Sequence, residues 1–440
     1  MSVAGVHKLW NFFLTALRAV RAAACERAAN LIPDGARDIA GEGQTLFFIK
    51  GAFRRDRGEQ SLREFGTTTS EIKSLATWLT ESGCEIIAME STGVFWKPLY
   101  NLFELMDLDA IVVNAAHMKA LPGRKTDVKD AEWIADLLRH GLLKASYIPS
   151  REQRELREIT RYRKSLTEER CRETNRLQKI LEGANIKLDS VVKDINGKSA
   201  RKLLEKIIED DVPTSEEEIS KMIHGRMRSK LGQLVTAIEG ITTPLQRKLL
   251  AQVIDHIDDL NRRIADLDKL VQDYMDEYEA AITALCDIPG IARRSAEVIL
   301  AEIGLDMSRF PSAAHLCSWA GVCPGNCQSA GRRKHGKTTK GNKPLKTILT
   351  QCAKSARSVK GSYFSAQYQR IAARRGKNRA TLAVAHSMLI AIYHMLRNNV
   401  PFRDLGSDYY DSFNRDRKIH GYLKRLKALG WEPDALPGSA

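Results

Sequence analysis

Between positions 253 and 278 the apolar residues return at gaps that alternate four and three: Val253, Ile257, Leu260, Ile264, Leu267, Val271, Tyr274 and Tyr278. This is a heptad seam, and a helix carrying it must lay one continuous apolar stripe against another helix. The partner is either a second copy of the chain or the long polar helix that the pattern predicts over 151–182. Eight positions without a polar break expose too much apolar surface for a solitary helix, so the seam is expected to join subunits.

The stretch before residue 150 reads differently. Short strands are predicted over 44–49 and 62–65, and Thr68 with Glu71 forms a capping box ahead of a helix through Leu79. A buried strand closing at Glu90, a helix over 95–106 and a strand over 110–113 make a crossover of suitable length for a parallel pair. After the break at Pro122-Gly123, the spacing of Trp133, Ile134, Leu137 and Leu138 predicts an amphipathic helix over 127–142. Asp127 and Asp130 then stand one turn apart on one face. Glu90 falls at the carboxyl end of its strand, where open α/β folds place their sites. Carboxylates so close repel unless a cation lies between them, and Mg2+ with oxygen ligands meets that need. A simpler role is also open: Asp127 as helix cap, with Asp130 in the first turn where the helix dipole favours an anion.

Charge is distributed unevenly. The formal net charge is +15, yet 307–403 contains no Asp or Glu against 18 Lys and Arg, while the rest of the chain holds 51 basic and 54 acidic residues. A segment of this kind most often faces a phosphate backbone. Within or beside it lie three features. The first is Ile288-Pro289-Gly290-Ile291 between two helical runs, a helix-hairpin-helix pattern whose turn amides suit a phosphate. The second is a loop of Gly, small polar and basic residues over 324–342, with Ser329 beside Arg332, Arg333 and Lys334. The third is a basic cluster over 370–379. Arg293, Arg294, Arg332, Arg333, Lys334, Lys337, Lys340, Lys343, Arg374, Arg375, Lys377 and Arg379 are the candidate nucleic-acid contacts. A serine attacking a phosphodiester needs cations on the phosphate oxygens, and this loop supplies them, although on spacing alone a loop serine is usually a turn residue. His315, Cys317, Cys323, Cys327 and His335 do not have the spacing of a zinc ribbon or finger.

The expected division is an α/β domain over 1–150, a helical coiled-coil insertion over 151–280, a helix-hairpin-helix and basic domain over 281–400, and a tail over 401–440. Eight cysteines without paired spacing read as reduced thiols of a cytoplasmic protein. Arg18 and Arg21 interrupt the apolar run over 9–17, which argues against an export signal. No membrane span is expected. The apolar stretch over 382–396 reads as a buried helix, with His386 and His394 as core histidines.

Taken together, Ala88-Met89-Glu90-Ser91-Thr92-Gly93, Lys125-Thr126-Asp127-Val128-Lys129-Asp130-Ala131, the Pro289-Gly290 hairpin with Ala301-Glu302-Ile303-Gly304, and Gln328-Ser329-Ala330-Gly331 with Lys340-Gly341-Asn342 resemble the insertion sequence 110 family of transposases, in order, from about residue 61 to about 397. The resemblance implies a ribonuclease-H-like domain, similar to the RuvC junction resolvase, that carries four acids. Glu90, Asp127 and Asp130 would be three of them, binding Mg2+. It implies a carboxy-terminal transposase domain with Ser329 as nucleophile, donor and target DNA as substrates, and a structured guide RNA from the element; the homo-oligomer expected from the seam would be a dimer or tetramer. In one respect the chain departs from the family. The first acid belongs in a pattern like Gly-Ile-Asp-Val-His-Lys, and Ala4-Gly5-Val6-His7-Lys8 matches it without the Asp. Two rivals therefore stand beside a serine recombinase: a metal-dependent junction resolvase without serine chemistry, and a copy that binds DNA but is catalytically defective.

Overall fold

The computed structural model describes residues 49–54, 60–91, 93–114, 134–135, 137–138, 140–212, 215–324, 328–329, 332–333, 338, 340–412 and 415–431, giving backbone alone at 49–54, 60–62, 64, 226, 328–329, 332–333, 411 and 416–418. The chain divides into two compact units, Met1–Pro149 and Ser150–Ala440.

In the first unit β1 (Ile49–Arg54) pairs antiparallel with β2 (Gln60–Phe65), from Ile49↔Phe65 to Arg54↔Gln60. Of the strand predicted over 44–49 only Ile49 is among the described residues, and the pairing with β2 runs from there to Arg54, past the apolar run. Helix α1 (Thr69–Glu81) starts as its sequence dictates: the Thr68 hydroxyl accepts from the Glu71 N–H at 3.4 Å and donates to the Glu71 carboxylate at 2.8 Å. The Thr68 hydroxyl is the main reason that this carboxyl titrates below the usual range. Ile72, Leu75, Ala76, Trp78 and Leu79 face the core at helical spacing. Strand β3 (Ile87–Glu90), helix α2 (Trp96–Leu105) and strand β4 (Ala110–Val113) make the crossover, and β3 and β4 pair in parallel from Ile87↔Ala110 to Glu90↔Val113. Phe103 of α2 packs with the apolar face of α1. Val113 also bridges Ala145 in antiparallel fashion, so β4 has neighbours on both edges. Of the helix predicted over 127–142, residues 134–135 and 137–138 are helical, with Ala135 and Leu137 buried, but 140–142 are turn and loop: the helix ends early, where Gly141 takes a φ of +65° and Leu142 donates to the Leu137 carbonyl at 2.9 Å. Asp127 and Asp130 lie outside the described residues.

The second unit is helical apart from a small hairpin. Helix α3 (Arg151–Gly183) is capped by Ser150, and the chain then passes through α4 (Lys198–Ile208), α5 (Glu216–Met222) and α6 (Leu231–Ile238). Helix α7 (Pro244–Tyr274) opens with a full capping box, Thr243 with Gln246, and Pro244 in its first turn. Helices α3 and α7 run antiparallel: Arg170 reaches Asn261 at 2.9 Å, and Arg163 reaches Asp268 at 3.0 Å one heptad further along. Seam residues Val253, Ile257, Leu260, Ile264 and Val271 are all buried, packed in part with Leu166, Leu177 and Leu181 of α3, whereas Tyr274 is exposed. The stripe is closed within one chain. It therefore gives no reason by itself to expect an oligomer, contrary to the reading from sequence.

Helices α8 (Glu279–Cys286), α9 (Arg293–Ile303), α10 (Ala313–Ala320), α11 (Lys343–Ala356), α12 (Tyr363–Arg375) and α13 (Lys377–Asn398) surround the largest core. Helix α13 is long and apolar enough to cross a membrane by composition. Val384, Ala385, Met388, Leu389 and Ile392 are instead fully buried against its neighbours α10, α11 and α12. His386 is half-buried, and burial lowers its pKa. His394 is not a core residue: it is exposed, its ring edge-on to Tyr393. The helical period carries it past the buried face. A last helix, α14, spans Arg415–Ala428.

Candidate active site and nucleic-acid interface

The stretch around Ser329 reads as an irregular loop in sequence, but its described residues form a hairpin. Strands β5 (Gln328–Ser329) and β6 (Arg332–Arg333) pair antiparallel, Ser329↔Arg332 and Gln328↔Arg333, with two residues between them. Pro324 bridges Thr338 further down. Alternation of apolar residues, the usual strand signal, is absent from the sequence over 328–333. Small residues and Ala330-Gly331 at the tip were the available signal.

The base of the hairpin is tightly fixed. At Gly341 an added Cβ would stand 2.4 Å from the Gly321 nitrogen and 2.5 Å from the Trp319 carbonyl oxygen. Asn342 donates its N–H to that same carbonyl at 3.0 Å, and its Oδ1 caps α11 by accepting from the Leu345 N–H at 3.0 Å. Its Nδ2 donates to Glu302 Oε2 at 2.7 Å. Glu302 is fully buried and is gripped by Arg161, Nε to Oε1 at 2.7 Å and Nη2 to Oε2 at 2.8 Å, with Arg157 Nε at 3.5 Å. Arg157 Nε and Gln153 also donate to the Ala301 carbonyl, each at 3.2 Å. Thus Ala301-Glu302-Ile303-Gly304 and Lys340-Gly341-Asn342, two motifs without an evident role in sequence, meet each other and α3. Sequence reasoning missed Arg157 and Arg161. Its one usable signal was an acid between the apolar residues Ala301 and Ile303.

Glu90 ends β3 opposite Val113 and is half-buried. It is the described member of the predicted carboxylate set. Among the described residues no three His, Cys, Asp or Glu side chains converge as a metal cluster. Of the zinc candidates, Cys327 and His335 lie outside the described residues, His315 Nδ1 is 2.8 Å from the Ser312 hydroxyl, and burial pushes the Cys317 thiol up to about 12.

The candidate cations fall into two groups. Arg293 is held by Glu279 through two contacts of 2.7 Å and by Glu297 at 3.2 Å, and Arg294 by Asp268. Hydrogen bonding to Arg293 keeps the Glu279 carboxyl below its ordinary range. The turn before them is packed on one side: a Cβ at Gly290, whose φ is +90°, would lie 2.5 Å from the Cys352 carbonyl oxygen and 2.6 Å from the Ala356 nitrogen, so the turn is pressed onto the end of α11. In contrast, Lys340, Lys343, Arg374, Arg375, Lys377 and Arg379 are exposed. Arg332 and Arg333 lie on β6, and Lys334 and Lys337 fall outside the described residues.

Comparison with known proteins bears on both units. A DEDD-type IS110 profile described as Transposase matches residues 54–186, and one described as Transposase IS116/IS110/IS902 family matches 282–369. A relative from Streptomyces coelicolor, the "Insertion element IS110 uncharacterized 43.6 kDa protein", is 26% identical over 311 residues, which cover 63% of this chain and 72% of the relative.

Proposed function

Because the chain belongs to the IS110 family of transposases, a family of DNA-cutting enzymes, we propose that it exchanges DNA strands through Ser329, with Glu90, Asp127 and Asp130 as a metal-binding carboxylate set. The observation that carries this reading is the position of Ser329, at the tip of a hairpin and cross-strand from Arg332, inside a segment without acids. Paired positions belong to one face of a ribbon, and a serine that attacks a phosphate needs a cation for its oxygens, a role this reading gives to Arg332. The Ser329 oxygen attacks phosphorus, a phosphoserine bond forms, and the bond to one deoxyribose oxygen breaks, that oxygen taking up a proton. Attack by the hydroxyl of the incoming strand reverses the step and releases the serine.

The parallel crossover with Glu90 at the carboxyl end of β3 supports a ribonuclease-H-like, RuvC-like unit. Its three proposed donors are all carboxylates, a hard oxygen set that suits Mg2+. When bound, the cation would supply Lewis-acid charge to phosphoryl oxygens. Each strand cut requires a serine, which makes a dimer or tetramer part of this proposal. Choice of DNA target would come from a structured RNA of the element, as the family resemblance implies.

The test is a covalent adduct. With Mg2+, element RNA and donor DNA, the parent should give a protein–DNA species that survives denaturant. Ser329→Ala should lose the adduct and strand exchange while keeping DNA affinity. Exchange by the alanine protein at the parent's rate would reject the serine, and cleavage without an adduct would favour a junction resolvase. One observation favours a second reading, a copy that binds DNA without cutting it: the family match begins at residue 54, and Ala4-Gly5-Val6-His7-Lys8 before it resembles the first-acid pattern without its Asp. Any cleavage by the parent excludes that reading.

A further inference from the structure

Between α11 and α12 the chain turns through 357–362 and opens a cavity of about 600 Å³, walled by Arg357, Ser358, Lys360, Arg370, Ser407 and Tyr410 among others, with no acid among the described residues of its lining. The turn is rigidly built. Ser362 and Ser365 are buried, and their hydroxyls donate to the carbonyls of Val359 and Arg357, each at 2.9 Å. The two arginines are placed by aromatic rings instead of carboxylates. The Arg357 guanidinium lies 5.8 Å from the Tyr368 ring centre, and that of Arg370 lies 5.5 Å from the Tyr410 ring centre. Tyr410 is itself stacked on Tyr363 at 5.3 Å and donates to its hydroxyl at 2.7 Å. A ring face fixes a guanidinium without neutralising it.

None of Arg357, Lys360 and Arg370 forms an ion pair among the described residues. Asp404, an acid of the adjoining tail, accepts the backbone N–H groups of Tyr363 and Gly406, both at 2.9 Å. Three like charges around one concavity raise its potential, and an anion bound among them relieves the repulsion. The exposed hydroxyls of Ser358 and Ser407 add neutral donors at the rim. Arginine, lysine and hydroxyl donors around an open concavity match the oxygens of a phosphate.

We propose that this cavity seats a phosphodiester of a nucleic-acid strand, a contact made by residues distinct from the Ser329 hairpin. It rests on the nucleic-acid reading above and names a place where the strand is held. The measurement is the salt dependence of affinity of the full chain for a duplex and for a single-stranded oligonucleotide. Replacing both Lys360 and Arg370 by Gln should flatten the log–log slope by about 0.9 per lost contact on the duplex, and by about 0.7 on the single strand. Lys360→Gln alone, on an exposed side chain, should give one such step and covers the case in which the double variant fails to fold. Lys202→Gln, on α4 outside the basic segment, should change nothing. Unchanged slopes in folded variants overturn the cavity assignment and leave the nucleic-acid reading standing. A parent that binds neither oligonucleotide removes that reading and this strand contact with it. Inorganic phosphate that raises the melting temperature of the parent but not of the double variant would then reassign the cavity to a small free anion.

Discussion

The α3–α7 pair and the acid-free segment over 307–403 use the same cationic side chains to opposite ends. In the pair, Arg163 is buried, 3.0 Å from Asp268 and 2.8 Å from Glu297, and Arg247 meets Asp210 at 2.8 Å. The Glu297 oxygen facing Arg163 makes no hydrogen bond, so that contact is ionic and off the N–H direction. In the segment, Arg357 and Arg370 rest on rings, and the exposed arginines of the α12 end lie where a helix dipole favours cations. The difference teaches that net charge is a poor measure of a binding surface. What counts is whether the fold supplies an acid within reach of each cation, and acids are absent from the whole of one segment.

Breaking the paired region at its most buried point should have the largest effect. Glu302→Ala leaves Arg157, only 11% exposed at its side chain, without its carboxylate, and Asn342 Nδ2 without an acceptor. Removing one partner of a buried ion pair costs about 4 kcal/mol. The urea unfolding midpoint should fall accordingly, and Glu302→Gln, which keeps an acceptor for Asn342, should fall less. A loss below about 1 kcal/mol for the alanine variant would mean that water replaces the carboxylate freely, against its burial.

Next in size is the seam. Ile264 is 3% exposed and packs with Leu166 and Leu260, so Ile264→Ala should cost about 3 kcal/mol. Because α3 is the partner, the mass measured by light scattering should stay the same. A fall in mass would show that the seam also joins copies, and would restore the expectation drawn from its heptads.

These elements differ in how much of them could be read from sequence. The crossover through β3, α2 and β4, the capped helices and the seam were legible because each follows a short period or a local cap, physics that acts within a few residues. The partner of the seam was not, since a heptad stripe accepts any complementary helix. The hairpin under Ser329 was missed because its pairing is backbone chemistry without an apolar face. Glu302 with Arg157 and Arg161 was missed for another reason: residues more than 140 positions apart share a carboxylate only after folding. The cavity beside α12 combines both difficulties, as Tyr410 comes from the tail, a stretch with no readable period.

The smallest effect on stability gives the sharpest test of the comparison, because it sets two arginines from the same list against each other. Arg293 lies at the start of α9, where the helix dipole disfavours a cation, and Glu279 and Glu297 hold it there. Arg374 lies in the last turn of α12, where the dipole favours it, and is exposed. A phosphate approaching Arg293 must displace two carboxylates that already satisfy its donors, whereas Arg374 gives only its Nε to the Arg370 carbonyl, at 3.3 Å, and forms no ion pair among the described residues. Arg374→Gln should therefore leave stability within about 0.5 kcal/mol and lower the duplex salt slope by about 0.9. Arg293→Gln should do the reverse, with a small loss of stability and an unchanged slope. If both variants lower the slope equally, pairing with a carboxylate does not withdraw a cation from nucleic acid in this protein, and the helix-hairpin-helix regains its place in the binding surface.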